Sequence, residues 1–246
     1  MPKGFDCATP LTVDSAAAFK ANGYDYVCRY LVPERFNKAL TRSEADLIQA
    51  AGMKIVSVFE TTADRALGGR EAGLQDGAIA AQCAADVGQP DGSTIYFAVD
   101  FNPTPDQMQT IIDYIKGAND ATPNYSTGAY GSFDVVNAVK SAGAASHTWQ
   151  TYAWSRGQLA DCQIFQYENG EEYDEDKSFG CEGWWGTDPV MPPVLPDRKP
   201  LDPGVALTIL NTWMSPSYSK TTDPARKEYI RWLGLELRKA AGLPLE

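Results

Sequence analysis

The stretch "STIYFAVDFNPTPDQ", residues 93–107, decides the fold. Its apolar run Ile95-Tyr96-Phe97-Ala98-Val99 is dense in β-formers and ends on a carboxylate, Asp100. Thr104 then stands where a helix N-cap belongs, and an amphipathic segment through "TPDQMQTIIDYIKGAND" follows. A strand that stops on an acid and passes into a helix is one βα unit, and the same grammar recurs on both sides.

Working outward, "KGFDCA" (3–8) leads into "TVDSAAAFKANG", and "YDYVCRYLV" (24–32) leads into "TRSEADLIQAAG". "KIVSVFETT" (54–62) precedes "GREAGLQDGAIAAQCAADVG", and "STGAYGS" (126–132) precedes "FDVVNAVKSAG". Thr12 and Thr41 are further N-cap residues, and Gly23, Gly52 and Gly143 fall just past helix ends, where a left-handed closing residue belongs. After residue 145 the helical segments stop. "HTWQTYAW" (147–154), "CQIFQYEN" (162–169) and a short last strand near "KSFG" remain. Five βα units followed by about three strands with few helices predict an α/β, TIM-type barrel of eight strands with an incomplete helical ring.

The barrel is expected to occupy residues 1–186. Between Gly186 and Gly204 lie six of the 16 prolines, which predicts a semi-rigid, proline-rich linker over 187–203. The remainder, 204–246, reads as a helical hairpin. "DPGVALTILNTWM" and "DPARKEYIRWLGLELRKAAG" each open on an Asp-Pro cap. Ile230, Leu233, Leu237 and Ala241 recur at helical spacing, with Tyr229, Trp232 and Leu235 widening the apolar face. So small a tail buries little by itself, which points to packing on the barrel, on a protein partner, or on a second copy.

A net charge of -11 argues against nucleic-acid and anionic-membrane binding. No run approaches the roughly 18 apolar residues of a membrane span, and "MPKGFDCATP" lacks the apolar region of a secretory signal. The expectation is cytoplasmic synthesis, with lysis or particle delivery needed for action outside the cell. Five cysteines without C-x-x-C spacing predict buried thiols and no zinc site, with Cys162 and Cys181 the pair to bridge if any does. His147, the single histidine, is expected to be structural.

In a barrel of this kind the chemistry gathers at the C-terminal strand ends. Asp6, Glu60 and Asp100 close strands 1, 3 and 4, while Arg29, Asn102, Tyr130, Gln150 and Gln166 bring hydrogen-bonding groups to the same rim. One terminal acid alone reads as a cap or a solvated end. Three in one mouth repel each other, raise at least one pKa, and leave a proton donor beside an ionised partner, the split that glycoside cleavage requires. Tyr30, Tyr96, Tyr130, Tyr152, Trp154, Trp184 and Trp185 suit sugar faces or the core. "ENGEEYDEDKS" places six acids in the nine residues 168–176; it reads as a solvated loop in preference to a calcium site, and Asp174 or Asp176 reaches the mouth if a strand follows directly. No metal or organic cofactor is required.

Nine motifs in order, "GFDCA", "VCRYL", "LTRSEAD", "ETTADRALGGREAG", "IYFAVDF", "GAYGS", "WQTYAWS", "QYENG" and "DEDKSFG…WW", resemble the glycoside-hydrolase-like family known as domain of unknown function 1906. That family occurs in actinobacterial and phage proteins and is related in fold to the family 25 muramidases. The resemblance covers residues 3–186 and implies a carbohydrate substrate, bacterial cell-wall peptidoglycan or a related glycan. It also implies an acidic cluster of Asp6, Glu60, Asp100 and Asp174 or Asp176. The related muramidases carry Asp-x-Glu on the fourth strand, with the glutamate as proton donor; this chain has Asp100-Phe101-Asn102. Glu60 is therefore expected to be the general acid, Asp100 the nucleophile, base or charge stabiliser, and Asp6 the group that orients substrate. Tyr130, Gln150 and Gln166 would hold sugar hydroxyls. The alternatives are a wall-glycan-binding or scaffold module without turnover, for which Asn102 speaks, and a hydrolase of another polysaccharide.

Overall fold

Strict alternation within the apolar runs sorts the strand side chains into two layers. The structure, a computed structural model, describes residues 1–186, 201–222 and 224–244. Eight strands close into one barrel in chain order. They are β1 (Lys3–Asp6), β2 (Tyr26–Tyr30), β3 (Lys54–Phe59), β4 (Thr94–Ala98), β5 (Ser126–Gly131), β6 (His147–Gln150), β7 (Ile164–Glu168) and β8 (Asp174–Ser178). Neighbours from β1 to β7 run parallel. β8 is antiparallel to both β7 and β1.

Tyr26, Cys28, Val56, Val58, Tyr96, Ala98, Tyr130, Trp149 and Ile164 fill the interior of the barrel. The alternate positions, among them Val27, Ile55, Phe59, Ile95, Phe97 and Val99, pack outward against helices α1 (Val13–Ala21), α2 (Arg42–Ala50), α3 (Gly69–Val87), α4 (Met108–Ala121) and α5 (Phe133–Ser141). Two large interior rings fit because glycines face them. A Cβ on Gly4 would lie 2.2 Å from the Tyr26 ring, and one on Gly128 2.5 Å from that of Tyr96. β6, β7 and β8 are joined by loops, so the helical ring stops after α5 as the sequence predicts.

Helix ends follow the sequence signals. Thr12 forms a reciprocal capping box with Ser15, Thr41 accepts from the Glu44 N–H, and Thr104 forms a capping box with Gln107. Gly23, Gly52 and Gly143 take φ of 85°, 83° and 60° just past their helices.

Residues 182–185 seal the base. Trp185 and Ile55 exchange two backbone hydrogen bonds of 2.8 and 2.9 Å, and Thr94 N donates to Gly183 O at 2.8 Å, so this segment enters where β3 and β4 diverge. Trp184 turns inward to Tyr26, while Trp185 turns outward and donates from Nε1 to Ser57 Oγ at 2.8 Å. His147 lies at this end too, beside Thr94 Oγ1 and Ser146 Oγ.

One expectation is corrected. The last strand is Asp174–Ser178, so the acidic run is a loop only through Glu171 and Glu172 and then becomes β8. All five cysteines are free, and Cys7, Cys28 and Cys162 are buried thiols of the kind expected, while Cys181 is exposed.

The chain divides into two compact units, Met1–Val190 and Met191–Glu246. In the second, Asp202 caps α6 (Pro203–Ile209) by accepting from Gly204 N and Val205 N. The first helical segment does not stop at Met214. It passes through a π turn (Leu210–Met214) into α7 (Ser215–Lys220), and the turn widens the ladder where Pro216 would clash with the carbonyl four residues back. α8 (Pro224–Ala240) completes the hairpin. Ile230, Leu233, Leu235 and Leu237 are half-buried and Ala241 is buried, but Trp232 is exposed and does not join that face. Residues 187–200 of the expected linker, Asp223 and the side chain of Tyr229 lie outside the described residues. Among the described residues no helix is long and apolar enough to cross a membrane.

Candidate active site

At the C-terminal end of the barrel the inner layer continues past the last hydrogen-bonded rung, and there its character changes from apolar to ionisable. Glu60 comes two residues after inward-facing Val58, Asp100 two after Ala98, Thr151 two after Trp149, and Gln166 two after Ile164. With Asp6 at the end of β1 they line a cavity of about 310 Å³, together with Tyr30, Tyr130, Trp154, Asn169 and Asp174. Asp174 reaches the mouth from the other direction. Because β8 is antiparallel, its first residue lies at the top, paired with Asp6 in register.

Gln166 ties three of these walls together. Its Nε2 donates to Asp6 Oδ2 (2.7 Å) and Asp174 Oδ2 (3.0 Å), while its Oε1 accepts from Tyr130 Oη (3.1 Å) and Thr151 Oγ1 (2.7 Å). Two hydroxyl donors fix the orientation of the amide, so its NH₂ must face the carboxylates. Asp174 also accepts from Gly170 N at 2.9 Å. Below them Asp176 is fully buried, accepting from Trp149 Nε1 (2.9 Å) and Cys28 Sγ (3.8 Å).

Burial and crowding raise several of these acids. Asp6 rises to about 7, chiefly by burial and then by the charges of Asp174 and Asp100, against the pull of the Gln166 hydrogen bond. Asp176 goes well above the carboxylate range through burial and the neighbouring charge of Asp6. Asp100 rises to about 6 by burial and the Glu60 charge, offset in part by Lys38. Asp174 is raised by burial. Glu60 forms an ion pair, with Lys38 Nζ 3.0 Å from its Oε1 and 3.9 Å above the Tyr30 ring. The mouth therefore sets Asp100, which keeps its proton in weakly acidic solution, beside the Lys38-paired Glu60, an arrangement capable of giving a proton there while stabilising positive charge.

Of the residues singled out in the sequence, Asp6, Glu60, Asp100, Tyr130, Gln166 and Asp174 line the cavity. Others do not. Arg29 alternates with inward Cys28 and Tyr30 and so faces outward; fully buried, it binds Glu44 through Nε (2.7 Å) and Nη2 (3.2 Å) and also donates to Cys7 O. Gln150 likewise faces outward next to Trp149, donating to Gln158 O and accepting from Ala160 N, both at 2.7 Å. Tyr152 is 58% exposed and lies outside the cavity lining. Asn102 is exposed and away from the lining, since β4 ends at Ala98 and the chain leaves the inner face after Asp100. Asp176 supports the site from beneath. Gln166 has all its hydrogen-bonding capacity engaged by protein, so it positions carboxylates and is not available to hold a sugar hydroxyl. Of the aromatics, Tyr30, Tyr130 and Trp154 line the mouth, whereas Tyr96, Trp184 and Trp185 belong to the barrel packing.

Sequence reasoning missed Lys38, Trp149, Thr151 and Asn169. Parity would have found Trp149 and Thr151, since Trp149 faces inward in β6 and Thr151 continues that face just past its end. Lys38 carries no local signal: it lies in the irregular segment "PERFNK" after β2. Among the described residues no group of three or more His, Cys, Asp or Glu side chains is arranged to hold a metal ion.

Comparison with known proteins agrees with this architecture. The chain is 29% identical over 146 residues to the Mycobacterium tuberculosis protein named "Putative peptidoglycan hydrolase Rv2525c", a match covering 55% of this chain and 60%, under two thirds, of that relative. The crystal structure of the Tat-secreted protein Rv2525c in complex with L-tartrate superposes with a TM-score of 0.67 at 22% identity, covering 75% of this chain and 99% of that one. A glycosyl hydrolase 25 of Streptococcus pneumoniae superposes with a TM-score of 0.50 at 11% identity, over 72% and 86% of the two chains. These structural likenesses are of fold. The family model for the Rv2525c-like, glycoside hydrolase-like domain matches residues 17–180, two thirds of the chain and most of the barrel, and the protein belongs to that family.

Proposed function

We propose that the barrel hydrolyses a glycosidic bond of bacterial cell-wall peptidoglycan or a related glycan. The observation that carries this reading is the pairing, in one cavity at the strand ends, of Asp100, raised to about 6, with the Lys38-bound Glu60. The roles first expected are exchanged. Asp100 is the proton donor to the departing oxygen, and Glu60 is the carboxylate that activates water or stabilises the oxocarbenium-like centre. Asp6 and Asp174, held by Gln166, take substrate hydroxyls, and Asp176 sets the charge of Asp6 from below. The relative named as a peptidoglycan hydrolase supports the choice of substrate.

A glycan-binding module without turnover is the second reading. The absence of an acid at position 102 favours it, as does the engagement of Glu60 by Lys38. In either case residues 204–246 form a separate helical tail behind a proline-rich linker, available to a protein partner or a second copy.

Digestion of purified peptidoglycan by the native protein, Asp100→Asn and Glu60→Gln, followed by reducing-end measurement and mass analysis, separates the readings. New ends from the native protein that disappear in both variants establish the hydrolase and identify the bond. Glycan sedimenting with the protein without new ends establishes the binding module.

A further inference from the structure

The loop after β6 carries a residue in a backbone conformation rare for its side chain. Trp154 lines the mouth with φ of 56°, in the left-handed region that a bulky side chain rarely enters. Two residues on, Arg156 does the same at 52°. Such strain persists only where the surroundings impose it, and it concentrates at ligand clamps.

The surroundings here are explicit. Buried Ser155 donates from Oγ to Thr151 O (2.7 Å) and accepts from Phe133 N (3.0 Å), which locks the residue directly after Trp154. Ala153 N donates to Thr151 Oγ1 at 3.2 Å on the other side. The Gln150 amide spans the loop to Gln158 and Ala160, and Arg156 pairs with Asp134 at 2.7 Å. All this fixes the backbone that carries an indole 39% exposed. Its ring stacks on no aromatic neighbour and its N–H meets no acceptor among the described residues. Core tryptophans of this barrel behave otherwise: Trp149 donates to Asp176 and packs on Tyr130, and Trp185 donates to Ser57.

We propose that Trp154 is a preorganised platform on which a pyranose ring of the glycan stacks through its C–H face, with the indole N–H free to donate to a ring hydroxyl. This rests on the reading that the mouth takes glycan, and it adds a binding contact separate from the carboxylates. The locked loop means that little backbone freedom is lost on binding, which favours affinity.

The sign of the test is unusual because the residue is strained. Replacing Trp154 with Gly, which accepts positive φ, should leave the melting temperature equal to or above that of the native protein. The same change should weaken binding of an N-acetylglucosamine tetramer and of solubilised peptidoglycan strands about tenfold, as read by calorimetric titration of the full chain. Trp154→Phe should recover most of that loss. Native-like affinity in Trp154→Gly overturns the platform and leaves the glycan reading standing. A lowered melting temperature in Trp154→Gly, with no recovery of affinity in Trp154→Phe, makes the ring structural and also overturns it. Absence of binding of both glycans by the native protein overturns the glycan reading and the platform together.

Discussion

At the base of the barrel, Trp184 and Trp185 enter between β3 and β4 and occupy the inner and outer layers in turn; Trp185 finds its partner in Ser57, and Tyr96 Oη donates to Glu182 O at 2.8 Å. At the mouth the same inner-face positions carry Asp6, Glu60, Asp100 and Asp174, with one cation, Lys38, among them. Both ends continue the alternation of the strands. One end places rings where they pack and closes, while the other places acids where they crowd and stays open. Crowded acids lower stability, because each must be neutralised or desolvated, so four of them gathered at one rim support reading it as a site.

Mutations should split along that line. The largest effect falls on turnover: Asp100→Asn should reduce glycan hydrolysis ~10²–10⁴-fold, the range for removing a general acid, with urea unfolding unchanged or shifted to higher midpoint. A loss of stability with intact turnover would place Asp100 with the scaffold instead. On the scaffold side, Trp185→Ala should lower unfolding free energy by about 3–5 kcal/mol through the cavity it leaves, and Arg29→Met by a similar ~3–5 kcal/mol because it strands the buried Glu44 charge. Both are to be measured by denaturant titration, and the mouth chemistry in the surviving folded fraction should persist.

The pH dependence of stability sharpens the contrast. Asp6 and Asp100 hold their protons in the folded protein up to about 7 and about 6, against 3.8 for the ordinary group. Between 3.8 and about 7 the folded state thus binds more protons than the unfolded chain, and stability should fall as pH rises through that window. Asp6→Asn should flatten the slope in chemical unfolding measured from pH 4 to 8. A slope untouched by that change would mean that the acids at the mouth are not the ones titrating. The smallest effect belongs to Lys38→Met. Because Lys38 pulls the Asp100 value down, its removal should move the alkaline limb of activity upward, by less than about one pH unit for a partly solvated pair, and a downward shift would contradict the arrangement.

Much of this was legible in residue order. The βα count, the caps at Thr12, Thr41 and Thr104, and the end of the helical ring after residue 145 are local signals, and they are found where local signals place them. The acids at the ends of strands 1, 3 and 4 were equally legible, because a carboxylate after a β-rich run has few other places to go. Less visible was the face on which each residue lies. Arg29 and Gln150 each sit one position out of phase with the inner layer, and a one-residue difference sends a side chain to the opposite side of the sheet. The strand direction of β8 was hidden as well, since an acidic run gives no hydrophobic period; yet that reversal brings Asp174 level with Asp6. Lys38 could not have been assigned at all, because its partner Glu60 lies across the β2–β3 boundary and only the closed barrel brings them within 3.0 Å. The exchange of roles proposed for Glu60 and Asp100 rests on that contact together with the burial that raises Asp100.

The most direct test is the release of reducing ends from peptidoglycan as a function of pH, measured for the native protein and for Asp100→Asn. Activity should be highest in weakly acidic solution, fall away above about pH 6 as Asp100 loses its proton, and vanish in the variant. Release that rises steadily through pH 6 to 8, or that survives in Asp100→Asn, would contradict Asp100 as the proton donor; no release at any pH, with glycan still bound, would make the mouth a binding site.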